Sequence, residues 1–173
     1  MQIRDLAWGD FPDLVDNYYR CYGEREAGRP IGIVLFDRQP GPVEETRWFS
    51  HLYESVQEGG AVACVAEVDG KAVGLCTVLR AGPGAGSETA HVGGLGVLVR
   101  DDVRGKGVGR ALIEETLRRC RGKFELVTLA VFVDNERAKR LYLSLGFQRY
   151  GTLPRSIKRG DRYIDEELMY RFV

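Results

Sequence analysis

The sequence predicts a single α/β domain of the α+β kind, in which one mixed sheet carries helices on both faces. A chain of 173 residues has the size of one domain with a substantial core. Segments with strand character alternate with segments of helical period, and antiparallel hairpins flank a strand–helix–strand unit. Such a unit needs a right-handed crossover between parallel strands, here residues 88–99 and 125–133.

The N-terminal third is predicted to hold one short strand, at Ile3–Ala7, and two helices. Asp10 precedes Phe11-Pro12 and resembles an N-cap with proline in the first turn, so a helix should run to about Glu26. A second helix is predicted from Val43 to about Glu58. The connection between them, Gly23–Pro42, is long and rich in Gly and Pro, which is typical of binding loops and lids. Its apolar centre, IGIVLF, indicates that it covers something.

The middle of the chain predicts a hairpin followed by the crossover unit. Strands at 61–68 and 71–80 flank Asp69-Gly70, the residue pair that favours a two-residue primed turn. A helix is predicted over about 107–121, with a wide apolar side. The segment ELVTLAVFV at 125–133 is nearly all apolar, which predicts a strand covered on both faces.

The C-terminal part predicts a helix and a closing hairpin. Apolar residues recur at helical spacing between Asn135 and Leu145, and Gly146 follows as a C′ glycine. The hairpin turns around Arg159-Gly160-Asp161. The predicted order is therefore β-α-α-β-β-β-α-β-α-β-β within one domain spanning residues 1–173.

Composition argues against several classes of protein. Lys plus Arg and Asp plus Glu each number 25, so the basic surface typical of nucleic-acid binders is absent and no nucleic-acid partner is expected. No apolar run approaches the roughly 20 residues that a bilayer requires, so no membrane association is expected. The N-terminus lacks the pattern of a secretory signal, and we expect a cytoplasmic location.

The cysteines and histidines do not form a metal pattern. Cys21, Cys64, Cys76 and Cys120 are scattered without a CxxC pair, and the chain has only 2 histidines. We therefore expect no metal site and four reduced, mostly buried thiols.

A glycine-rich turn, Arg104-Gly105-Lys106-Gly107-Val108-Gly109, separates a strand from a helix and allows three interpretations. It is a tight bend, a nucleotide site or another anion site at a helix start. The Walker pattern fails because Gly107 follows Lys106 where Ser or Thr is required. The dinucleotide fingerprint fails because the acidic residue needed about 20 positions later falls in the apolar run 127–133.

The same turn fits R-x-x-G-x-G and resembles the signature of the GNAT superfamily of acetyl-CoA-dependent N-acetyltransferases. A second segment, Asn135-Glu136-Arg137-Ala138 with Leu141-Tyr142 and Gly146-Phe147, is similar to the family's N-x-x-A-x-x-L-Y-x-x-x-G-F. The two motifs occur in the family's order with one strand between them. The resemblance implies a GNAT-like sheet in which the parallel strands 4 and 5 splay apart, with acetyl-CoA as cosubstrate and an amine as acceptor.

The resemblance also implies residue roles. Main-chain N–H groups of the turn hold the pyrophosphate while its basic side chains attract it. Backbone groups of the preceding strand contact the pantetheine arm, and one of them polarises the thioester carbonyl. The cofactor-binding residues implied are Val97, Leu98, Val99, Arg104, Gly105, Lys106, Gly107, Val108, Gly109, Arg110, Asn135 and Tyr142.

Tyr142 has the family role of general acid, which protonates the departing thiolate. Periodicity alone allows a second interpretation, because Tyr142 lies in the apolar stripe between Ala138 and Leu145 and could be core. For Asn135 the second interpretation is a helix N-cap, which is compatible with a position at the site.

The catalytic base is left open by the sequence. Many family members place a glutamate at the position that is Gly94 here. His91, with an ordinary pKa near 6.5, is one candidate, and Glu67 and Glu166 are others. A base acting through water, or an amine that arrives neutral, is an equal alternative.

The acceptor is predicted to be a small molecule or an amino acid that attacks directly in a ternary complex. Its site should be built from the 23–42 connection, the second helix and the last hairpin. Charged residues there could bind an amine or a carboxylate: Glu24, Glu26, Glu44, Glu45, Asp165 and Glu166, and Arg25, Arg29, Arg155, Lys158, Arg159 and Arg162. Alternatives are acetylation of a protein N-terminus or lysine, and a non-catalytic coenzyme A sensor. A homodimer is possible, since dimers are frequent in the family.

Overall fold

A computed structural model describes residues 1–173 as one seven-stranded sheet with four α-helices. Along the sheet the strands lie in the order β1-β2-β3-β4-β5-β7-β6. None of the helices has both the length and the apolar composition that a bilayer crossing requires. The elements in chain order are β1 (Gln2–Asp5), α1 (Phe11–Glu26), α2 (Pro42–Gln57), β2 (Ala61–Val68), β3 (Lys71–Arg80), β4 (Val92–Val99), α3 (Val108–Cys120), β5 (Leu126–Phe132), α4 (Glu136–Ser144), β6 (Gln148–Arg159) and β7 (Arg162–Phe172).

The pairing of the strands confirms the predicted mixed sheet. The pair β4–β5 is parallel, and every other neighbouring pair is antiparallel. The β2–β3 hairpin turns at Asp69 and Gly70 with φ angles of 51° and 74°, as a primed turn requires. The predicted fold class and order of elements are therefore confirmed.

The two parallel strands are joined over a short length and then separate. Only Val92, Gly93 and Gly94 of β4 have partners on β5, the last pair being Gly94 with Thr128. Beyond that point β4 continues to pair with β3 as far as Val99, and β5 continues to pair with β7. A gap therefore opens in the middle of the sheet, bordered by backbone groups that have no partner strand.

Two hydrophobic cores lie on opposite faces of the sheet, because side chains alternate along each strand. On one face, α3 and α4 cover residues such as Cys64, and Leu112 of α3 is fully buried there. On the other face, Leu14 of α1 and Phe49 of α2 pack against Val65. The helices on both faces are thus confirmed.

Several element boundaries and contacts differ from the sequence-based expectation. Residues 88–91 form turns, so β4 begins only at Val92. The Asp10 side chain does not cap α1, because it accepts hydrogen bonds from Arg4 (2.6 and 2.8 Å) and from the N–H of Ala7 (2.8 Å). The expectation that β5 is covered on both faces is wrong, since Ala130 is exposed. The reason is that α1 and α2 pack mainly on the half of the sheet formed by β2, β3 and β4.

Two adjacent glycines of β4 provide a test of how tightly the sheet is packed where β4 and β5 are joined. A Cβ at Gly93 would collide with Val78 and lie 3.2 Å from a Phe124 ring carbon, whereas one at Gly94 would meet nothing closer than 3.9 Å. We expect Gly93→Ala to lower the free energy of unfolding by about 1–3 kcal/mol through overpacking. The matched Gly94→Ala should change it by less than about 0.5 kcal/mol. Urea denaturation measures both, and equal effects would contradict this packing.

Candidate active site

The turn between β4 and α3 presents a row of free main-chain donors. Gly105 and Gly107 both have a φ of 84°, a conformation that L-residues rarely adopt, and Gly107 is the N-cap of α3. No main-chain N–H from Gly105 to Arg110 donates a hydrogen bond to an acceptor within the protein. These donors lie at the positive end of the α3 dipole, so the turn suits a compact, highly charged anion such as a diphosphate.

The basic side chains of the turn are held by other parts of the protein. Arg104 donates two hydrogen bonds to the buried Glu24 of α1, at 2.7 and 2.9 Å, and a third to the Val99 carbonyl at 2.7 Å. Lys106 donates to the carbonyl of Asp102 at 3.0 Å. Arg104 therefore fixes the turn to α1 and to the end of β4, while anion contact is left to the main chain.

Arg110 is held in a similar way on the surface of α3. Its guanidinium donates to the hydroxyl of Ser144 at 2.6 Å and to Glu114 at 3.2 Å. These contacts tie the first turn of α3 to the end of α4, so the two motifs predicted from the sequence touch one another.

The α4 motif lies beside the gap in the sheet. Asn135 caps α4 by accepting a hydrogen bond from the N–H of Ala138 at 3.2 Å, and Gly32 of the α1–α2 connection lies directly against its amide. Tyr142 is 8% exposed, and its ring meets Phe147 edge-on at 5.8 Å. Its hydroxyl has no hydrogen-bond partner within the protein. Both sequence interpretations of Tyr142 therefore apply, because its ring is core and its hydroxyl is free.

A cleft of about 1170 Å³ runs along this turn and into the gap, and we call it the glycine-turn cleft. Of the predicted cofactor-binding residues, all except Lys106 and Val108 line it. Sequence reasoning missed Arg137 and Arg140 on its walls, although both lie on the exposed side of the predicted fourth helix. Arg25 and Arg29, which were expected at the acceptor site, line this cleft instead and not the other large cavity.

A second cavity, of about 640 Å³, lies on the α1–α2 side of the sheet, and we call it the α2 cavity. Its walls come from α1, the α1–α2 connection, α2, β3 and β4. Three residues, Ile33, Val97 and Leu98, line both the α2 cavity and the glycine-turn cleft. The two spaces therefore meet at the separated end of β4, where Arg104 already holds the Val99 carbonyl on the gap side.

The predicted base candidates lie away from this meeting point. His91 is exposed in the turn before β4 and lines neither space. Glu67 on β2 pairs with Arg4 at 2.6 Å, and Glu166 on β7 also lies outside both linings. Among the acidic residues proposed for the acceptor site, Glu44 and Glu45 of α2 do line the α2 cavity.

The thiols are poor nucleophiles in this structure. All four cysteines are free and buried, and Cys21, which borders the glycine-turn cleft, is fully enclosed. Burial raises the pKa of Cys21 to about 11 and the pKa values of Cys76 and Cys120 to about 12. A thiolate, the reactive form, is therefore scarce at neutral pH.

An anion cradle at a helix start, opening into a split sheet with a free tyrosine hydroxyl beside it, defines a transferase that uses an acylated coenzyme A. The model of the acetyltransferase (GNAT) family matches residues 33–147. The chain belongs to this family, and acetyl-CoA is its cosubstrate.

Known proteins resemble the chain over much or all of its length. It is 31% identical over 115 residues to the L-amino acid N-acetyltransferase AaaT of Escherichia coli K12, covering 65% of this chain and 68% of that protein. It is 25% identical over 171 residues to the L-methionine sulfoximine/L-methionine sulfone acetyltransferase of Pseudomonas aeruginosa, covering 96% and 91% of the two chains.

Solved structures share the fold. The ribosomal-protein-alanine N-acetyltransferase of Brucella melitensis has a TM-score of 0.85 at 24% identity, over 100% of both chains. The phosphinothricin acetyltransferase of Sinorhizobium meliloti, solved in complex with acetyl-CoA, has a TM-score of 0.82 at 20% identity, over 99% of this chain and 88% of that one.

Replacement of Gly107 tests whether main-chain donors hold the cosubstrate. Gly107→Val should weaken acetyl-CoA binding by about 10- to 100-fold, the value of one charge-assisted hydrogen bond, because the N–H is turned away. Lys106→Ala should weaken it by less than about fivefold. The control is Gly122→Val, since Gly122 also has a positive φ (78°) and open space around it. Calorimetry should show normal affinity for this control, and a loss equal to that of Gly107→Val would contradict the assignment.

The hydrogen bonds between Arg104 and Glu24 allow a test of whether Arg104 positions the glycine-rich turn or attracts the diphosphate directly. Glu24→Gln should lower the free energy of unfolding by about 1–3 kcal/mol, since a buried charged hydrogen bond is weakened. It should also weaken acetyl-CoA binding, because the turn loses its support. If Arg104 instead attracted the diphosphate directly, freeing its guanidinium would leave binding equal or tighter. Glu115→Gln is the charge-matched control for acetyl-CoA binding, because Glu115 also pairs with arginines but lies in the second half of α3 and does not line the cleft.

Proposed function

We propose that this protein acetylates the primary amine of a small molecule, an amino acid, by direct attack of the amine on the thioester of acetyl-CoA. The observation that carries the proposal is the meeting of the glycine-turn cleft with the α2 cavity at Val97 and Leu98. One space suits the cosubstrate, and the other is large enough for an amino acid. A nucleophile in the α2 cavity therefore has access to the gap without a covalent relay.

The chain's residues supply two catalytic functions in this proposal. The Val99 carbonyl lies on the gap side of β4, so Val97, two residues earlier, directs its own backbone groups to the same side. Its N–H can stabilise the oxyanion that develops at the thioester carbonyl, an effect worth a few kcal/mol in the transition state. Tyr142 can donate its proton to the departing sulfur, since burial raises its pKa and keeps the phenol protonated at neutral pH.

Direct transfer is favoured over a ping-pong route through cysteine. A relay would need an accessible thiolate near the gap, and Cys21, the thiol that borders the cleft, is fully buried. Its sulfur donates to the carbonyl of Asn17 at 3.7 Å, and burial raises its pKa to about 11. Free thiols also favour a reducing compartment, and we propose a cytoplasmic location on this ground.

The lining of the α2 cavity supports an amino acid as acceptor. Phe36, Trp48 and Leu75 provide apolar walls, while Arg47 has no carboxylate partner within the protein. A free guanidinium can pair with the carboxylate of an amino acid. The related proteins of Escherichia coli and Pseudomonas aeruginosa are named for amino-acid substrates or analogues, which agrees with this choice.

Turnover on a panel of amines tests the proposal. We expect coenzyme A release with apolar L-amino acids at least about tenfold faster than with their carboxamides, which lack the charge that Arg47 can bind. Tyr142→Phe should lower kcat by about 100-fold or more while leaving acetyl-CoA affinity unchanged. Acetylation of peptide N-termini or lysines alone would favour a protein acceptor. Acetyl-CoA binding without any turnover would favour a sensor, and a stable acetyl-enzyme would overturn direct attack.

A further inference from the structure

Glu45 is a buried carboxylate that nothing in the protein neutralises. It lies on α2, its residue is 4% exposed, and it lines the α2 cavity. Its Oε1 atom is fully enclosed and has no hydrogen-bond partner, and the residue forms no ion pair. A buried charge without a partner is among the most costly groups a fold can contain. Such a group in the wall of a cavity indicates that a cationic ligand completes it.

The other groups on the wall of the α2 cavity are less suited to bind a cationic ligand or to accept its proton. Glu44 is occupied, because it accepts two hydrogen bonds from Arg38 (2.7 and 2.9 Å) and one from the N–H of Gly41 (2.8 Å). Asp37 is exposed to solvent. On β4 the cavity is lined by Gly96, Val97 and Leu98, none of which has a side chain that accepts a proton.

We infer that Glu45 receives the ammonium group of the acceptor and takes its proton, so that the amine enters the reaction neutral. This inference rests on the proposed function, because it assigns the amine end of the acceptor to the α2 cavity. In place of the strand glutamate that is missing at Gly94, the base is then a carboxylate of α2, in the wall of the same cavity that Val97 and Leu98 line. Sequence reasoning had included Glu45 only as one of several acidic residues around the acceptor.

The proton balance of this step is simple. One proton passes from the ammonium to Glu45 and later to solvent. The nitrogen lone pair forms the C–N bond, and the C–S bond breaks with its electron pair on sulfur. A second proton leaves the nitrogen for solvent as the amide forms. Tyr142, after protonating the departing thiolate, regains a proton from solvent, so one proton is released in each turnover.

The surroundings of Glu45 suit a base. Burial raises its pKa, and the neighbouring charge of Glu44 raises it further, so the carboxylate is a stronger base than an exposed glutamate. The phenols of α1 stay protonated, since burial raises the pKa values of Tyr18 and Tyr19. The titratable and charged groups that face the cavity or lie beside it are Tyr18 and Tyr19 of α1, Asp37 and Arg38 of the connection, and Glu44 and Arg47 of α2.

The pH dependence of Glu45→Gln, which keeps the side-chain volume, is the decisive measurement. The wild type should show a plateau of kcat/KM between the raised pKa of Glu45 and the pKa of the amine. The variant can use only amine that is already neutral, so its kcat/KM should rise about tenfold per pH unit below the amine pKa. We expect a deficit of about 100-fold at pH 7 that narrows towards pH 9, with unchanged acetyl-CoA affinity.

Glu54→Gln is the matched control, because Glu54 is exposed on the same helix and lines neither space. It should follow the wild-type profile. A Glu45→Gln profile parallel to the wild type, or an activity within threefold of it at pH 7, would overturn the role of Glu45 while leaving the proposed function intact. Failure of the wild type to acetylate any amine would overturn the proposed function instead.

Two measurements test Glu45 independently of turnover. Calorimetric titration of an apolar L-amino acid into the coenzyme A complex should show at least tenfold weaker binding to Glu45→Gln, and equal or absent binding to both forms would overturn the inference. Because the pKa is raised on folding, wild-type stability should fall as pH rises from the ordinary carboxyl pKa through the raised value. Glu45→Gln should lack that fall, and a wild type that instead gains stability relative to the variant would show that Glu45 is already paired.

Discussion

The functional architecture depends on the short length over which β4 and β5 are joined. Each strand stays paired on its outer side, β4 with β3 and β5 with β7, so the sheet remains continuous while its centre opens after Gly94. Backbone groups that border the gap lack the partners that a sheet normally supplies, and unsatisfied groups of this kind are costly away from water. An extended ligand with amide groups can provide those partners. The gap is therefore an interruption of the sheet, and it is also the place where a pantetheine arm can lie.

The main chain and the side chains have different roles in the site. The N–H groups of the turn are free to bind an anion, whereas Arg104, the arginine of the signature, pairs with Glu24 and the Val99 carbonyl. A bidentate bond between arginine and carboxylate fixes orientation as well as charge. Arg104 thus joins α1, the end of β4 and the start of α3 in one arrangement. The attraction for an anion then comes from a rigid set of dipoles, which needs little reorganisation when the ligand binds.

The sequence was informative where structure is local and less so where it depends on distant contacts. The turn at 104–109 and the α4 motif could be recognised because neighbouring residues determine a left-handed glycine and a capped helix. The partner of Arg104 could not, since Glu24 lies 80 positions away. The uncovered face of β5 was missed for a related reason, because its apolar composition does not reveal how far α1 and α2 extend. Nor did helical periodicity distinguish Glu45 from its exposed neighbours on α2.

Glu45 and the free N–H groups of the turn lack the partners that most polar groups of the molecule have. The buried Asn17, for example, donates its amide to the Ala72 carbonyl at 2.7 Å, and the one other buried side-chain atom without a hydrogen-bond partner is Nε of Arg80. A fold under selection for stability alone would neutralise or replace a carboxylate that burial disfavours. Its presence in the wall of the α2 cavity is explained if the missing partners arrive with the substrates. In the proposed function an ammonium group completes one side and a diphosphate the other, and the reacting carbonyl is expected where the two spaces meet.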